Sequence, residues 1–303
     1  MFAKRRIFLL QWPEEVTIRE VGPRDGLQNL PAFIPTETKI EIIRGLAEAG
    51  VTAIEAASFV SPRVVPQMAD AGEVLTGLAD LPEDVVLSAL VLNTRGMARA
   101  AGSGVREVMA VVSASEVHHL KNTNKSVDQS LAELQELCFL ARDSGVILRG
   151  AVAAAFGCPY QGVITSDQVK KVLDPMAEAG IEEITLADTA GMGNPRQVFE
   201  LLEDITTCYP SIALALHLHD TKGLGLANVM AGLQAGVTIL ETSFGGLGGC
   251  PFVPEAAGNI ATEDLVDMLQ SMGINTGISL EGVISCTRMM EVLLGKMLPA
   301  RIR

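Results

Sequence analysis

The chain has 303 residues, of which 48% are hydrophobic and 19% are charged, and its 36 acidic and 23 basic residues give a formal net charge of −13. This apolar fraction excludes intrinsic disorder and is enough for a large hydrophobic core. An acidic chain lacks the clustered cationic surface that phosphate backbones require, so nucleic acid is excluded as a partner.

The N-terminus resembles the start of a signal peptide, because the basic segment 1–6 precedes an apolar run. That run, over 7–10, is too short for a secretory signal. No other stretch reaches the roughly 18 apolar residues of a membrane span, so no membrane partner is expected. The five cysteines are widely spaced and odd in number, which predicts free thiols in a cytoplasmic protein.

A three-residue motif recurs five times along the chain: a small residue, a glycine, then Val or Ile. Its copies begin at Ala49, Ser103, Ser144, Ala179 and Ala235. Each copy follows an amphipathic helical pattern and precedes a short run rich in Val, Ile and Ala. A glycine just past a helix end accommodates a left-handed backbone conformation, and such a run is typical of a buried parallel strand. The motif therefore predicts a junction at which a helix ends and a strand begins.

The whole chain alternates in this way. Strands are predicted near 15–24, 51–58, 84–92, 107–113, 147–156, 182–188, 212–219 and 238–244, and helices near 36–49, 64–78, 95–102, 127–143, 166–179, 195–208, 224–235 and 262–272. Eight such units predict an α/β fold, a (β/α)8 TIM barrel over about 15–277 with a helical tail over about 278–303. The alternative, an open doubly wound sheet, would carry a glycine-rich dinucleotide fingerprint after an early strand, and the sequence has none. No domain boundary is apparent, so 1–303 is predicted to form one domain.

Polar residues fall at the carboxyl ends of the predicted strands, where TIM barrels carry their active sites. Arg24 and Asp25 end the first strand, and the second contains Glu55 and Ser58. An arginine at such an end is well suited to hold a developing oxyanion. A buried carboxylate needs a partner, and Arg24 on the neighbouring strand is the natural one for Glu55.

Two histidines, His217 and His219, give the strongest single indication of a site. Because they are two residues apart on a strand, their side chains point to the same face, where they can bind one divalent cation. Asp25 and Asn259 would add oxygen ligands, and this mixed set suits Mg²⁺ or Mn²⁺, with Zn²⁺ as an alternative. A hydrogen-bonded pair of core histidines is the structural alternative.

Two loops carry further candidate groups. His118 and His119, after the fourth strand, are interpreted as solvated, or at most as contacts to the tail of a substrate. After the eighth strand, Gly245 to Cys250 holds four glycines and is predicted to be mobile, so that the thiol reaches a ligand when the loop closes. Inert packing of this cysteine is the alternative. The loop lacks the Gly-Lys-Ser/Thr ending of a phosphate-binding P-loop.

Several long motifs occur in order along the chain. They are Val21–Asn29 (VGPRDGLQN), Ile54–Pro62 (IEAASFVSP), Val65–Met68 (VPQM), Ser243–Phe252 (SFGGLGGCPF) and Gly258–Leu265 (GNIATEDL). Together they resemble the 3-hydroxy-3-methylglutaryl-CoA (HMG-CoA) lyase family over about residues 16–277.

The resemblance implies a TIM barrel that cleaves an acyl-CoA substrate, HMG-CoA, to acetyl-CoA and acetoacetate. It implies a divalent cation, no nucleotide cofactor beyond the CoA of the substrate, and a homodimer. The implied metal ligands are Asp25, His217, His219 and Asn259. The implied catalytic residues are Arg24 at the oxyanion, Cys250 on its loop, and the supporting carboxylates Glu55 and Asp188. Substrate-pocket hydroxyls are implied at Ser58 and Thr185. The candidate general bases are Asp25, His217 and Asp188.

Some positions depart from the family pattern. Lys222 replaces a common Tyr; Phe244, Gly245 and Phe252 replace Val, Ala and Tyr; and Glu255 replaces Gly. Phe244, Phe252 and Glu255 fall in the expected pocket wall and closing loop, so they bear on the choice of acyl group rather than on the reaction. The open alternatives are a lyase for a related 3-hydroxy-acyl-CoA, a condensing synthase, and a non-catalytic CoA- or metal-binding barrel. Condensing synthases usually have Asn-Asp after the paired histidines, whereas Asp220-Thr221 follows here, as in the lyases.

Overall fold

The structure, a computed structural model, describes residues 12–249 and 258–303. Eight parallel strands form a closed barrel in chain order, with β1 paired to β8. The strands are β1 (Thr17–Glu20), β2 (Ala53–Ser58), β3 (Val86–Val91), β4 (Glu107–Ser113), β5 (Ile147–Ala153), β6 (Glu183–Asp188), β7 (Ala213–Leu218) and β8 (Ile239–Thr242). The predicted TIM barrel is confirmed.

Helices connect the strands, and one more forms the tail. They are α1 (Thr36–Glu48), α2 (Ala71–Thr76), α3 (Thr94–Ala101), α4 (Glu116–Thr123), α5 (Val127–Asp143), α6 (Ser166–Glu178), α7 (Pro195–Cys208), α8 (Gly225–Gln234), α9 (Thr262–Ser271) and the tail helix α10 (Leu280–Leu294). Gly50 and Gly236, two of the recurring glycines, have φ values of 95° and 89°. They therefore end their helices in the left-handed conformation that the sequence predicted. No helix in the described residues is long and apolar enough to cross a membrane.

Two predicted element boundaries were wrong. The first strand ends at Glu20 rather than near residue 24, and Gly22–Gly26 forms a π-helical turn. Pro23 cannot donate to a strand ladder, and the N–H groups of Arg24 and Asp25 donate instead to the Val21 carbonyl, at 3.1 and 2.6 Å. The predicted helix over 64–78 is divided into a 3₁₀ turn, Pro66–Met68, and the short α2.

The interpretation of His118 and His119 as solvated loop residues was also wrong. Both lie in α4, which the sequence analysis did not predict, and each is only 2% exposed. His118 Nδ1 is 3.0 Å from Ser113 Oγ, and His119 Nε2 is 2.7 Å from Ser130 Oγ. Burial lowers the pKa of His118 to about 4, so this imidazole is neutral and part of the packing between α4 and the barrel.

The barrel interior contains a layer of alternating charges below the mouth that the carboxyl ends of its strands form. Arg19 on β1 contacts Glu183 at 2.9 Å and Glu241 at 3.4 Å. Arg149 on β5 contacts Glu107 at 3.0 Å and Glu183 at 3.2 Å. We call these five side chains the ionic layer. Because its members come from five strands, the layer joins opposite sides of the barrel beneath the candidate site.

Candidate active site

Arg24 and Asp25 are held together by the turn after β1. Arg24 Nη1 donates to Asp25 Oδ1 at 2.6 Å, and Arg24 Nε donates to Glu55 on β2, which confirms the predicted partner of Glu55. Burial acts to lower the pKa of Arg24, but Glu55 and Asp25 raise it above its ordinary value. The turn therefore presents a permanent cation in a fixed orientation at the mouth of the barrel.

The two histidines share one face, as predicted. His217 is on β7 and His219 directly follows that strand; they are 8% and 4% exposed, and their Nε2 atoms are 3.1 Å apart. His217 Nδ1 is 3.1 Å from Glu241 Oε2 on β8. Burial acts to lower the pKa of His217, but Glu241 and Asp25 raise it. Both imidazoles thus direct the same ring nitrogen to one point.

Asn259 reaches this point because the segment that contains it lies beside the end of β7. The Ile260 N–H donates to the Leu218 carbonyl at 3.2 Å, and the Asp220 N–H to the Gly258 carbonyl at 3.1 Å. Asn259 Nδ2 donates to Asp25 Oδ2 at 2.8 Å. The four residues predicted as metal ligands are therefore brought together from the turn after β1, the end of β7 and the segment before α9.

The donor set fits a divalent cation. Asp25, His217 and His219 each offer a ligand atom, and these three atoms lie within 4.8 Å of one another. Asn259 Oδ1 is buried and has no hydrogen-bond partner among the described residues. Burial acts to raise the pKa of Asp25, but Arg24 and the two imidazoles lower it, so this carboxylate is ionised. Two nitrogens, an anionic oxygen and an unpaired amide oxygen form a mixed set suited to Mg²⁺, Mn²⁺ or Zn²⁺.

The glycine-rich segment begins as fixed backbone, which corrects the prediction of a mobile loop from Gly245 onward. Phe244 and Gly245 are buried. The Phe244 N–H donates to Glu20 at 3.0 Å, and the Gly245 N–H donates to Glu263 at 3.0 Å. Burial raises the pKa of Glu20 to about 8 and that of Glu263 to about 7. Two buried carboxylates therefore anchor the base of this segment; Cys250 itself lies outside the described residues.

One glycine in this segment is required by a close approach to the site. A Cβ atom at Gly248 would lie 2.4 Å from Asn259 Nδ2, and the φ of Gly248 is +128°. Any side chain here would displace Asn259, so the segment can pass the candidate metal ligands only as glycine.

The remaining predicted residues are buried near the mouth. Ser58 Oγ, at the end of β2, accepts the Val60 N–H at 3.2 Å. Asp188 accepts the N–H groups of Met192 and Gly193, each at 2.9 Å, and burial raises its pKa. Thr185 donates to Glu241 at 2.9 Å. Thr185 lies two residues before Ala187, the β6 partner of His217, so it lies one step deeper than the histidine.

The structure also shows where two of the residues that depart from the family pattern lie. Phe244 is fully buried and packs against Gly22, where a Cβ atom would lie 2.5 Å from its ring, so the prediction that Phe244 lines the pocket wall was wrong. Lys222 Nζ donates to the Met192 carbonyl at 3.4 Å. Phe252 and Glu255 lie outside the described residues.

Three buried carboxylates near the site were missed by the sequence analysis. They are Glu20, Glu241 and Glu263. Glu20 and Glu241 lie in apolar strands, which is the same signal that identified Glu55. Glu263 lies in the first turn of an amphipathic helix, where an acidic residue is ordinary, so no signal distinguished it.

Comparison with known proteins identifies the relatives of the chain. Its sequence matches the HMGL-like family model over residues 15–290. It is 43% identical over 292 residues to a hydroxymethylglutaryl-CoA lyase of Bacillus subtilis, covering 96% of this chain and 97% of that protein. It is 45% identical over 273 residues to the mitochondrial hydroxymethylglutaryl-CoA lyase of Bos taurus, covering 90% and 84% of the two chains.

Solved structures agree with these sequence matches. The crystal structure of the Bacillus subtilis HMG-CoA lyase superposes with a TM-score of 0.92 at 43% identity, covering 96% of this chain and 97% of that one. The HMG-CoA lyase of Acinetobacter baumannii in complex with coenzyme A and 3-methylmalate superposes with a TM-score of 0.91 at 40% identity, covering 95% and 94%. The barrel, the site and these matches agree, and the chain belongs to the HMGL-like family.

Proposed function

We propose that the chain is an HMG-CoA lyase, a carbon–carbon lyase that cleaves HMG-CoA to acetyl-CoA and acetoacetate. The observation that carries this proposal is the cluster of Asp25, His217 and His219 beside Arg24 at the barrel mouth. The complex of the Acinetobacter baumannii relative with coenzyme A and 3-methylmalate supports an acyl-CoA substrate. Turnover of HMG-CoA, measured as acetyl-CoA release with and without a divalent cation, tests the proposal directly.

Asp25, His217, His219 and Asn259 would hold the cation. When bound, it supplies Lewis-acid polarisation of the substrate oxygens. We propose Mg²⁺ or Mn²⁺ as the ion, because carboxylate and amide oxygens form half of the ligand set.

Arg24 is the residue we propose for the enolate. In the cleavage a general base, for which Asp25, His217 and Asp188 are the candidates, takes the proton of the C3 hydroxyl. The C2–C3 bond then breaks, and its electron pair passes to the thioester as an enolate while C3 becomes a ketone. Asp25 and Glu55 accept hydrogen bonds from Nη1 and Nε of Arg24, which fixes the plane of the guanidinium. A cation held in this way can stabilise the negative charge that develops on the thioester oxygen.

Cys250 is the residue we propose for protonating C2 of the enolate, which completes acetyl-CoA. The described part of its segment supports this role. Asn29 Nδ2 donates to the Gly249 carbonyl at 2.6 Å, and Gly248 passes directly beside Asn259. The backbone immediately before the thiol is thus fixed next to the proposed metal ligands.

Cys250→Ala is therefore expected to lower kcat about 10²-fold or more, as loss of a general acid usually does. Iodoacetamide should modify Cys250 in the free enzyme, and substrate should protect it. Cys208, an exposed thiol at the end of α7, is the matched control: its alkylation should not respond to substrate, and Cys208→Ala should keep full activity. If the Cys250 thiol is unreactive and the alanine variant is fully active, Cys250 has no role in catalysis and only packs.

The acyl specificity is tested by kcat/KM across CoA esters that differ only at C3. A hydrophobic pocket distinguishes one methylene by only about 1–3 kcal/mol. We expect measurable cleavage of HMG-CoA, with neighbouring 3-hydroxy-3-alkyl esters also turned over at altered rates. If no ester of the series is cleaved while the metal site is shown to be filled, the lyase proposal fails. A condensing synthase would then be tested with acetyl-CoA and a keto acid.

We also propose that the enzyme works as a homodimer, as the family resemblance implies, and that it works in the cytoplasm, because widely spaced cysteines, odd in number, fit a reducing compartment. Sedimentation velocity at assay concentration tests the oligomeric state. A single species with the mass of one chain would contradict the dimer.

A further inference from the structure

Glu241 is a buried carboxylate next to the proposed metal ligands. It is 2% exposed and is the β8 register partner of His217 on β7. Its Oε2 is 3.1 Å from His217 Nδ1, while its Oε1 accepts hydrogen bonds from the Thr185 hydroxyl at 2.9 Å and from Arg19 Nη1 at 3.4 Å. Each carboxylate oxygen therefore has its own partners, and the group cannot rotate without breaking contacts on both sides.

This contact decides which nitrogen of His217 carries the proton. An ionised carboxylate only accepts hydrogen bonds, so Nδ1 must be the donor to Glu241. In the neutral imidazole the free lone pair then lies on Nε2. Nε2 is the atom that faces His219 Nε2 at 3.1 Å and lies in the cluster with Asp25. The opposite tautomer would place a hydrogen where a metal ion must bind.

We propose that Glu241 is a positioning residue that fixes the tautomer and the ring orientation of His217 for metal binding. This inference rests on the proposed function in one respect, namely that the cluster of Asp25, His217 and His219 binds a divalent cation. It adds a role for the ionic layer: Arg19 holds Oε1, with Arg149 at 3.8 Å from the same oxygen, so that Oε2 stays directed at His217.

Glu241→Gln tests the proposal, because the residues around position 241 determine which way the new side-chain amide is oriented. Arg19 repels an NH₂ group and Thr185 donates its hydroxyl, so the amide oxygen is expected to face these two residues. The NH₂ group then faces His217 Nδ1, donates to it, and stabilises the wrong tautomer. We expect Mn²⁺ affinity, measured by EPR titration without substrate, to fall about 10- to 100-fold, the usual loss on removing the partner of a metal-binding histidine.

Glu183→Gln is the matched control. Glu183 contacts both Arg19 and Arg149, at 2.9 and 3.2 Å, so its replacement also removes one negative charge from the ionic layer. It has no contact with His217 among its hydrogen bonds and ion pairs in the described residues. Its Mn²⁺ affinity should stay within about twofold of the parent enzyme, whereas a general effect of lost charge would weaken both variants equally.

A second measurement reports the tautomer itself. The chain has only four histidines, so long-range ¹H–¹⁵N spectra of metal-free protein labelled at histidine, recorded at mildly alkaline pH, can resolve His217. We expect the proton on Nδ1 in the parent protein and on Nε2 in Glu241→Gln. Glu241→Asp keeps the charge and the acceptor, so it should keep the parent tautomer and more of the metal affinity, and it serves if the Gln variant does not fold.

The outcomes separate the two proposals. Unchanged Mn²⁺ affinity in Glu241→Gln, or a parent tautomer with the proton on Nε2, would overturn the role of Glu241. A parent protein that binds no Mn²⁺ would instead contradict the metal site of the proposed function, while the tautomer measurement would still show whether Glu241 controls His217.

Discussion

Arg24→Lys is expected to lower kcat about 10²- to 10³-fold, the usual effect of losing one donor to a developing oxyanion. Lysine keeps the positive charge but lacks the planar guanidinium group with its several N–H donors. The planar group matters in this site because Arg24 donates to Asp25 through Nη1 and to Glu55 through Nε, and both hydrogen bonds set the direction of the guanidinium. Steady-state kinetics on HMG-CoA provide the measurement, with the loss appearing in kcat rather than in KM.

Arg44→Lys is a suitable control, because Arg44 pairs with Asp80 at the surface of the protein and its replacement should leave both constants unchanged. Glu55→Gln should reproduce part of the Arg24 defect, since it removes the charge that orients Nε. If Arg24→Lys changed only KM, Arg24 would be a residue for ground-state binding and not for the transition state.

Removal of divalent cations is expected to abolish turnover, with activity returning on addition of Mg²⁺ or Mn²⁺. His219→Ala should weaken metal affinity at least tenfold, because a ligand is lost outright. Isothermal titration of the apoprotein with Mn²⁺ measures this without relying on activity. His119→Ala is the control: His119 is also buried, but its Nε2 contacts Ser130 and it is not a member of the cluster of Asp25, His217 and His219. It should alter the stability of the protein without altering metal affinity.

Full turnover after exhaustive chelation, with metal content verified by elemental analysis, would contradict the metal site. Equal loss of affinity in His119→Ala and His219→Ala would mean that general destabilisation accounts for the effect.

The barrel could be predicted because its signals are local. The recurrent glycine that ends a helix and the apolar run after it occupy neighbouring positions in the sequence, and Gly50 and Gly236 show the expected conformation. Boundaries were wrong where one residue overrode the pattern, as Pro23 does after β1. Helix α4 was missed because one helix was expected between successive strands, and the longer α5 already filled that place between β4 and β5. The burial of His118 and His119 was missed with it.

The candidate site was predictable for a different reason. Polar residues at the carboxyl ends of parallel strands meet in space whatever their separation along the chain, so Asp25 and His217 could be placed together. The contacts of Thr185 and Glu241 could not be read in this way, because they depend on which side chains meet across the barrel interior. The anchoring of Phe244 and Gly245 by Glu20 and Glu263 likewise depends on backbone N–H groups that carry no sequence signal.

The ionic layer restricts which residues inside the barrel can be replaced one at a time. Arg149 is the one cation in the layer that contacts Glu107, and removing one partner of a buried ion pair costs about 3–5 kcal/mol. Domains are stable by only about 5–15 kcal/mol, so a neutral residue at position 149 would use much of that margin. Replacing both partners with apolar residues of similar volume costs far less. Because Arg149 also pairs with Glu183 at 3.2 Å, loss of the charge at 149 should be accompanied among related sequences by changes at both 107 and 183, and libraries that alter residue 149 should alter these two positions as well.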